Sequence, residues 1–326
     1  AVPTPFRGTL YGAYRAYGSG IVAVVGSYGA MLRSTSYGAS FSLLRFPGVT
    51  LQGVERLGPG QYVAAGYASL LARTADGGNS WSYPSVPPLP SSYVSFYGMG
   101  HEPQGGVVVA VGSSGTVVRS VNGGVSWSAS FTPKTSSLYD ATGAVKAVLV
   151  AVGSGSTVLQ SKNGGADFVA QTAPFSSTVR AVSCAAHVCL TAGYSGNLAI
   201  STTSGASWTK RSSPKSASFY AAAMGNTQNG VAAGSSGTIV YTGDGGASFQ
   251  LASAPGSKTI YAVGAIDGQR FLAVDYNGRF LASADRGKTW RYHSPPLGYA
   301  IYDLALGAKG GLAVGSYALR AAYTTP

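Results

Sequence analysis

Two sixteen-residue stretches of this chain are almost the same sentence: GSSGTVVRSVNGGVSW at 112–127 and GSSGTIVYTGDGGASF at 234–249. Self-similarity at a fixed period constrains a fold more than any composition can, because each copy must be one supersecondary unit that buries its faces against the next. Anchored on the aromatic that ends the sentence, the copies fall at Phe41, Trp81, Trp127, Phe168, Trp208, Phe249 and Trp290, spaced 40, 46, 41, 40, 41 and 41 residues apart. A proline follows each anchor six residues later (Pro47, Pro87, Pro133, Pro174, Pro214, Pro255, Pro296) and marks where an outer strand must stop, since proline cannot donate to a ladder.

Between one proline and the next aromatic lie three short β-patterned runs separated by turn signals, as in YVSFYGMG, GVVVAVG and TVVRSVNGG, and a fourth run follows the aromatic. Four short strands per unit of about 41 residues is the blade pattern of a β-propeller. The turn before the third strand gives a second count: GSYGA at 26, GYASL at 66, GSSGT at 112, GSGST at 153, GYSGN at 193, GSSGT at 234, DYNGR at 275 and GSYAL at 315. That makes eight units, although the aromatic-and-proline tail occurs seven times. The expectation is one all-β domain over 1–326, an eight-bladed propeller of four-stranded antiparallel blades, with residues 1–6 supplying the strand that the last blade lacks and sealing an otherwise exposed edge. Seven blades with an overhanging unit is the alternative.

The phrases TADGGNSW, SVNGGVSW, SKNGGADF, TGDGGASF and SADRGKTW resemble the Asp-box of sialidase-like (BNR-repeat) propellers, Ser/Thr-x-Asp-x-Gly-x-x-Trp/Phe. In such a turn the acid or amide at Asp76, Asn122, Asn163, Asp244 and Asp285 accepts backbone N–H bonds, glycine supplies positive φ, and an aromatic such as Trp81, Trp127, Trp208 or Trp290 tucks under the blade. Degraded copies occur at STSYGASF and STTSGASW, where Ser36 and Ser204 are read as replacing the acid. Within that superfamily the phrasing looks closest to the photosystem II assembly and stability factor type of repeat. That resemblance implies a binding scaffold, and it is specific for fold rather than for function.

The residues for catalysis are sparse. A sialidase-like enzyme needs three arginines on the substrate carboxylate, a tyrosine nucleophile backed by a glutamate, and an acid/base aspartate. Arg45-Phe46-Pro47 is the nearest match to the family's Arg-Ile-Pro phrase, and its proline belongs to the repeated column. The chain has two glutamates, Glu55 and Glu102. Paired carboxylates for glycoside hydrolysis sit roughly 5 to 10 Å apart, whereas the best-placed candidates, Asp140 and Asp303, fall in units on opposite sides of the expected ring. His101, His187 and His293 lie in different units, so neither a metal site nor a Ser-His-Asp relay is expected, and no cofactor is called for.

Cys184 and Cys189 flank the tetrapeptide AAHV at a hairpin turn, a geometry that can bring them to bonding distance; two inert buried thiols are the other reading. Secreted propellers of the resembled type carry a similar pair, which implies a disulfide and an extracytoplasmic location. No window is apolar enough to span a membrane. The chain opens on AVPTPF with no n-region or h-region ahead of it, so either a leader has been removed or the numbering begins late.

The net charge of +12 favours an acidic partner, but the basic residues are dispersed and form no block longer than Lys210-Arg211, which disfavours nucleic acid. Two columns stand out as candidate partner-binding residues. At the start of the innermost strand the units read Tyr11, Gln52, Tyr97, Tyr139, Arg180, Tyr220, Tyr261 and Tyr302, an aromatic rim for the central channel; packing between blades is the competing role. Tyr28, Tyr67, Tyr194, Tyr276 and Tyr317, on the turns before the third strands, belong to the same face. Arg33, Arg73 and Arg119 share a column on the third strands of the first three units, giving either a basic patch or solvated decoration. The functional expectation is a non-enzymatic scaffold gripping a protein partner in a larger assembly. The alternative is a glycan-binding lectin or glycosidase, and a self-assembling surface unit is a third reading.

Overall fold

Runs of four to six small, β-branched or aromatic residues closed off by glycine are too short for helices of useful length and well suited to strands. The computed structural model of the chain describes residues 10–15, 22–26, 30–34, 42–45, 51–58, 61–76, 80–89, 94–102, 106–277, 279–292, 301–307, 310–315 and 322–323. Every regular element in it is a strand except for single 3₁₀ turns. Ala1–Phe6, expected to seal the last blade, lies outside the described residues.

The strands form antiparallel sheets numbered here in chain order. Sheet 1 comprises Leu10–Arg15, Val22–Gly26, Ala30–Ser34 and Ser42–Arg45; sheet 2 comprises Leu51–Gly58, Gln61–Gly66 and Leu71–Thr74. Sheet 3 is Phe96–His101, Val108–Gly112, Val117–Ser120 and Ser128–Ala129; sheet 4 is Leu138–Gly143, Leu149–Gly153, Val158–Ser161 and Val169–Ala170. Sheet 5 is Val179–Ala185, Val188–Gly193, Leu198–Ser201 and Thr209–Arg211; sheet 6 is Phe219–Met224, Gly230–Gly234, Ile239–Thr242 and Gln250–Leu251. Sheet 7 is Ile260–Ala265, Phe271–Asp275, Phe280–Ser283 and Arg291–Tyr292, and sheet 8 is Ile301–Gly307, Gly310–Gly315 and Ala322–Tyr323.

The four-stranded blade expected of all eight units, or of seven, is therefore present six times among the described residues; sheets 2 and 8 have three strands. The cause in sheet 2 is local. After Trp81 only Ser82 pairs back, to Arg73, because Pro84, Pro87 and Pro88 follow and cannot donate. First strands of consecutive sheets pack side by side, and that of sheet 8 lies beside that of sheet 1.

Second strands such as Val108–Gly112, Leu149–Gly153 and Phe271–Asp275 are buried along their whole length. They are covered on both faces by neighbouring sheets, so they read as unbroken apolar runs rather than alternating ones.

The repeated turn is what holds one sheet to the next. In sheet 3 the Ser120 hydroxyl accepts from the Gly124 N–H at 2.8 Å, and Asn122 Oδ1 accepts from Ser126 N at 3.0 Å. Ser161 with Asn163, Thr242 with Asp244 and Ser283 with Asp285 repeat that pattern. In sheet 5 the acid is replaced by Thr203, whose Oγ1 accepts from Ser207 N at 3.0 Å. Ser204, read from the sequence as the replacement, instead occupies the following position with φ of 55°, where other copies have glycine or Arg286. Behind each turn Trp127, Phe168, Trp208, Phe249 and Trp290 are at most 9% exposed, while Trp81 is half-buried.

The second glycine of the turn faces the preceding sheet. A Cβ on Gly165 would lie 2.8 Å from Val109 Cγ1, and one on Gly205 would lie 2.5 Å from Val150 Cγ2. Gly246 meets Ile200 in the same way at φ of 82°, a conformation that also disfavours a side chain. Gly246→Ala is expected to destabilise the protein by about 2–3 kcal/mol through overpacking and strain. Gly243→Ala, in the same turn but open to solvent, should change stability by less than about 0.5 kcal/mol; chemical denaturation compares the two. Burial works to raise the Asp244 pKa, but hydrogen bonds from Ser248, Thr242 and Ala247 outweigh it and hold the carboxyl at about 2. A depressed pKa stabilises above the ordinary value of 3.8, and that contribution is lost as pH falls through about 2. Asp244→Asn, which copies the residue at Asn122, should flatten this acid limb of the pH–stability curve while keeping the turn.

Candidate binding face

The first strand of every sheet but sheet 7, where Ile260 faces Asp275, starts beside a glycine. Gly112, Gly153, Gly193 and Gly234 pair with Phe96, Leu138, Val179 and Phe219, and a Cβ on any of the four would collide with the backbone just before the partner. One residue later the register slips in all eight first strands, at Tyr11, Gln52, Tyr97, Tyr139, Arg180, Tyr220, Tyr261 and Tyr302. The column singled out from the sequence is thus a column of β-bulges. A bulge adds an unpaired residue and turns its side chain away from the ladder, which frees this position from the packing that fixes its neighbours. The sequence reading missed the bulge; its signal was the glycine that opens the GSSG-type turn in every unit but the seventh, where Asp275 takes that place.

The structure brings these side chains together. Tyr97 and Tyr139 lie with ring centroids 5.8 Å apart, and the Arg180 guanidinium sits 4.4 Å above the Tyr139 ring. Tyr220 and Tyr261 are 5.3 Å apart, with Tyr194 edge-on to Tyr220 at 6.0 Å and Tyr276 beside Tyr261 at 6.2 Å. Turn tyrosines and strand tyrosines therefore share one face. Those on the strands are half-buried, whereas Tyr67, Tyr194 and Tyr276 are 41%, 36% and 50% exposed. Side chains of Tyr11, Tyr302 and Arg33, and all of Tyr28 and Tyr317, lie outside the described residues.

The arginine column has a different place from the open patch expected. Arg73 Nε donates to Gly123 O at 2.7 Å, and Arg119 Nε donates to Gly164 O, in each case the turn of the next sheet. Gln160, in the same column of sheet 4, donates to Ser204 O at 2.8 Å. Arg211 performs the task from the outer strand of sheet 5, donating to Gly246 O at 2.8 Å. These donors bracket consecutive sheets, so the column is a structural device that tolerates more than one residue type.

Carboxylates are employed in the same manner. Asp140 Oδ2 accepts from Val182 N at 3.0 Å, joining sheets 4 and 5 below the tyrosine column. Glu102 Oε1 accepts from Ala147 N at 2.5 Å, joining sheets 3 and 4. Glu55 holds His101 Nδ1 at 2.9 Å across sheets 2 and 3; its hydrogen bond and charge raise the imidazole pKa against the opposing effect of burial. Asp267 and Asp275 pair with Arg270 and Arg279, and Asp76, Asp167, Asp244 and Asp285 are held within turns. The side chain of Asp303 lies outside the described residues. Among those described, no group of three histidine, cysteine or acidic side chains is placed to hold a metal ion.

Cys184 and Cys189 form a disulfide across directly paired positions of a hairpin whose turn is Ala186-His187. Among the described residues, no helix is long and apolar enough to cross a membrane.

No family model and no curated protein matches the sequence. Among solved structures the chain is similar to YCF48 bound to D1 peptide, at 16% identity and a TM-score of 0.65, over 85% of this chain and 94% of that one. YCF48 from Cyanidioschyzon merolae is similar at 16% identity and a TM-score of 0.62, over 99% and 97%. The C-terminal WD40 domain of Sif2 aligns at 12% identity with a TM-score of 0.77, over 98% and 97%. At these identities the likeness shows the fold, a β-propeller, and nothing finer.

If the arginine column is a bracket, Arg119→Gln should retain stability, because glutamine already does this work at position 160. Arg119→Ala should lose about 1 kcal/mol, the net worth of one hydrogen bond. Denaturation midpoints of the two variants provide the comparison.

Proposed function

We propose that the chain is a binding scaffold without catalytic activity, which grips a protein or peptide partner with the tyrosine-bearing face. The observation that carries this reading is the bulge column: positions released from the sheet ladder are filled by tyrosines that meet across sheets and continue into exposed tyrosines on adjacent turns. Tyrosine gives large contact area with a polar tip at low entropic cost, which is what a recognition surface needs. Arg180 adds a cation to one side of that surface, beside Tyr139, and offers a complement to an acidic group.

Three further observations support the reading. Carboxylates that would serve as acid, base or nucleophile are committed to backbone donors or cations of their own chain. One solved structure of the same fold is of a protein, YCF48, bound to a peptide. Sheets 2 and 8 take the part of blades in this reading, so that eight blades make one ring, in keeping with the packing of sheet 8 beside sheet 1. The aspartate and asparagine turns are then Asp-boxes of the sialidase-like repeat type, used for structure. The disulfide favours an oxidising, extracytoplasmic compartment, where the chain would serve as a subunit of a larger assembly.

Affinity capture from native extract tests the proposal. Replacing Tyr139, Tyr220 and Tyr261 together by alanine should abolish capture of the partner retained by the unaltered chain; because these half-buried rings also contribute to packing, an unchanged far-ultraviolet circular dichroism spectrum at the capture temperature shows that the variant is still folded. Glycan arrays and fluorogenic glycosides should give no signal. Turnover that disappears with Asp140→Asn would overturn the reading in favour of a glycosidase.

A further inference from the structure

The interval between Trp81 and Trp127 is 46 residues where the other units take 40 or 41, and the added length lies in a proline-rich connection, SYPSVPPLP at 82–90. Proline fixes its own φ near −65° and confines the residue before it to extended or polyproline II conformations. In the stretch from Tyr83 to Leu89 every residue except Ser85 is either a proline or precedes one. Such a sequence is held to an extended or polyproline II course before any tertiary contact forms, with Ser85 the one residue left unconstrained.

From Pro84 to Leu89 burial follows the three-residue period of that helix. Ser85 and Pro88 are exposed; Pro84 and Pro87 are half-buried; Val86 and Leu89 are half-buried and pack against the core cluster that holds Phe96 and Trp127. Tyr83, ahead of them, is exposed like Ser82. Two apolar anchors on one edge thus fasten the segment to the propeller and turn another edge to solvent. It leaves the sheet behind it at the reciprocal Arg73–Ser82 bridge, with N···O distances of 2.9 and 2.8 Å. Beyond it, Val94 is held by Ser69, whose N–H donates to Val94 O at 2.7 Å, on the turn that carries Tyr67.

We propose that Tyr83–Leu89 is a preformed polyproline II ligand, displayed by the propeller to a partner domain whose groove is lined with aromatic side chains. A polyproline II segment has no internal hydrogen bonds that docking must break, and its rigidity lowers the entropy lost on docking. Mounting it on a rigid sheet edge removes the remaining freedom that a loose proline-rich tail would have to lose.

The inference is independent of the tyrosine-bearing face, and its test separates the two. The whole chain is titrated against purified SH3, WW and EVH1 domains, the three aromatic-groove classes that read polyproline II. At least one should bind, and the Pro87→Ala, Pro88→Ala double variant should weaken binding about tenfold or more. Ser85→Glu alters only the exposed edge, so it should weaken binding while leaving the thermal midpoint unchanged; that guards against loss through misfolding. The triple tyrosine variant should bind these domains as the unaltered chain does. Failure of every domain to bind, or binding indifferent to Ser85→Glu and to the proline pair, would overturn the proposal. So would concentration-dependent self-association that Ser85→Glu dissolves, because the occupant would then be a second copy of this chain.

Discussion

The structure depends on how closely the glycine of each repeated turn approaches the preceding sheet. Gly124, Gly165, Gly205, Gly246 and Gly287 each present a bare Cα to a valine or isoleucine of their neighbour, and in each case a side chain would collide. Val63, Val109, Val150 and Val231 are thereby sealed completely, each worth roughly 1.5–3 kcal/mol of burial. No single sheet of four short strands could bury both faces alone, so stability belongs to the junctions. The hydroxyl of Ser120, Ser161, Ser201, Thr242 or Ser283 fixes the turn so that its glycine arrives at the right depth. This is why one sentence recurs: every junction poses the same steric problem and receives the same answer.

Features that each unit solves identically were legible in the sequence. The aromatic anchor, the proline stop and the glycine turn recur in register because every unit and every junction repeats the same geometry. Part of what escaped reading depends on two units at once. Arg73 and Arg119 look like a surface patch until the carbonyls of Gly123 and Gly164 are seen to be their partners, more than forty residues ahead. Thr203, and not Ser204, stands before Trp208 where Asn122 stands before Trp127, so its role was legible in the spacing, and the hydrogen bond from Ser207 N to its Oγ1 agrees. The three-stranded form of sheet 2 was foreshadowed by Pro84, Pro87 and Pro88, but the proline column masked it, since Pro87 satisfies the repeat while its neighbours break the strand.

Charge is arranged by the same logic. With 10 acidic residues against 22 basic ones, the chain uses its carboxylates where a single acceptor can do structural work. Asp140, Glu102 and Glu55 each reach across to the next sheet, while Asp244 and Asp285 organise turns. Lysines such as Lys134, Lys162, Lys210 and Lys288 are left on the exterior. The basic character comes from the excess of 22 basic over 10 acidic residues, and because the basic residues are dispersed it gives a mild preference for acidic surroundings rather than one focused site.

The tyrosine column shows how such a framework leaves room for recognition. At the bulge the ladder does not specify the side chain, so units fill that position with tyrosine, glutamine or arginine without disturbing the strand. The residues on either side of it in the ladder, such as Phe96 and Gly98 or Leu138 and Asp140, are fixed by core packing, by close approach to the neighbouring backbone or by a cross-sheet bond. Variation at the bulge therefore costs little stability, and those positions lie on a single face because successive sheets repeat them. If this face binds as proposed, the bulge residues can vary with the partner while the turns that hold the sheets together stay as they are.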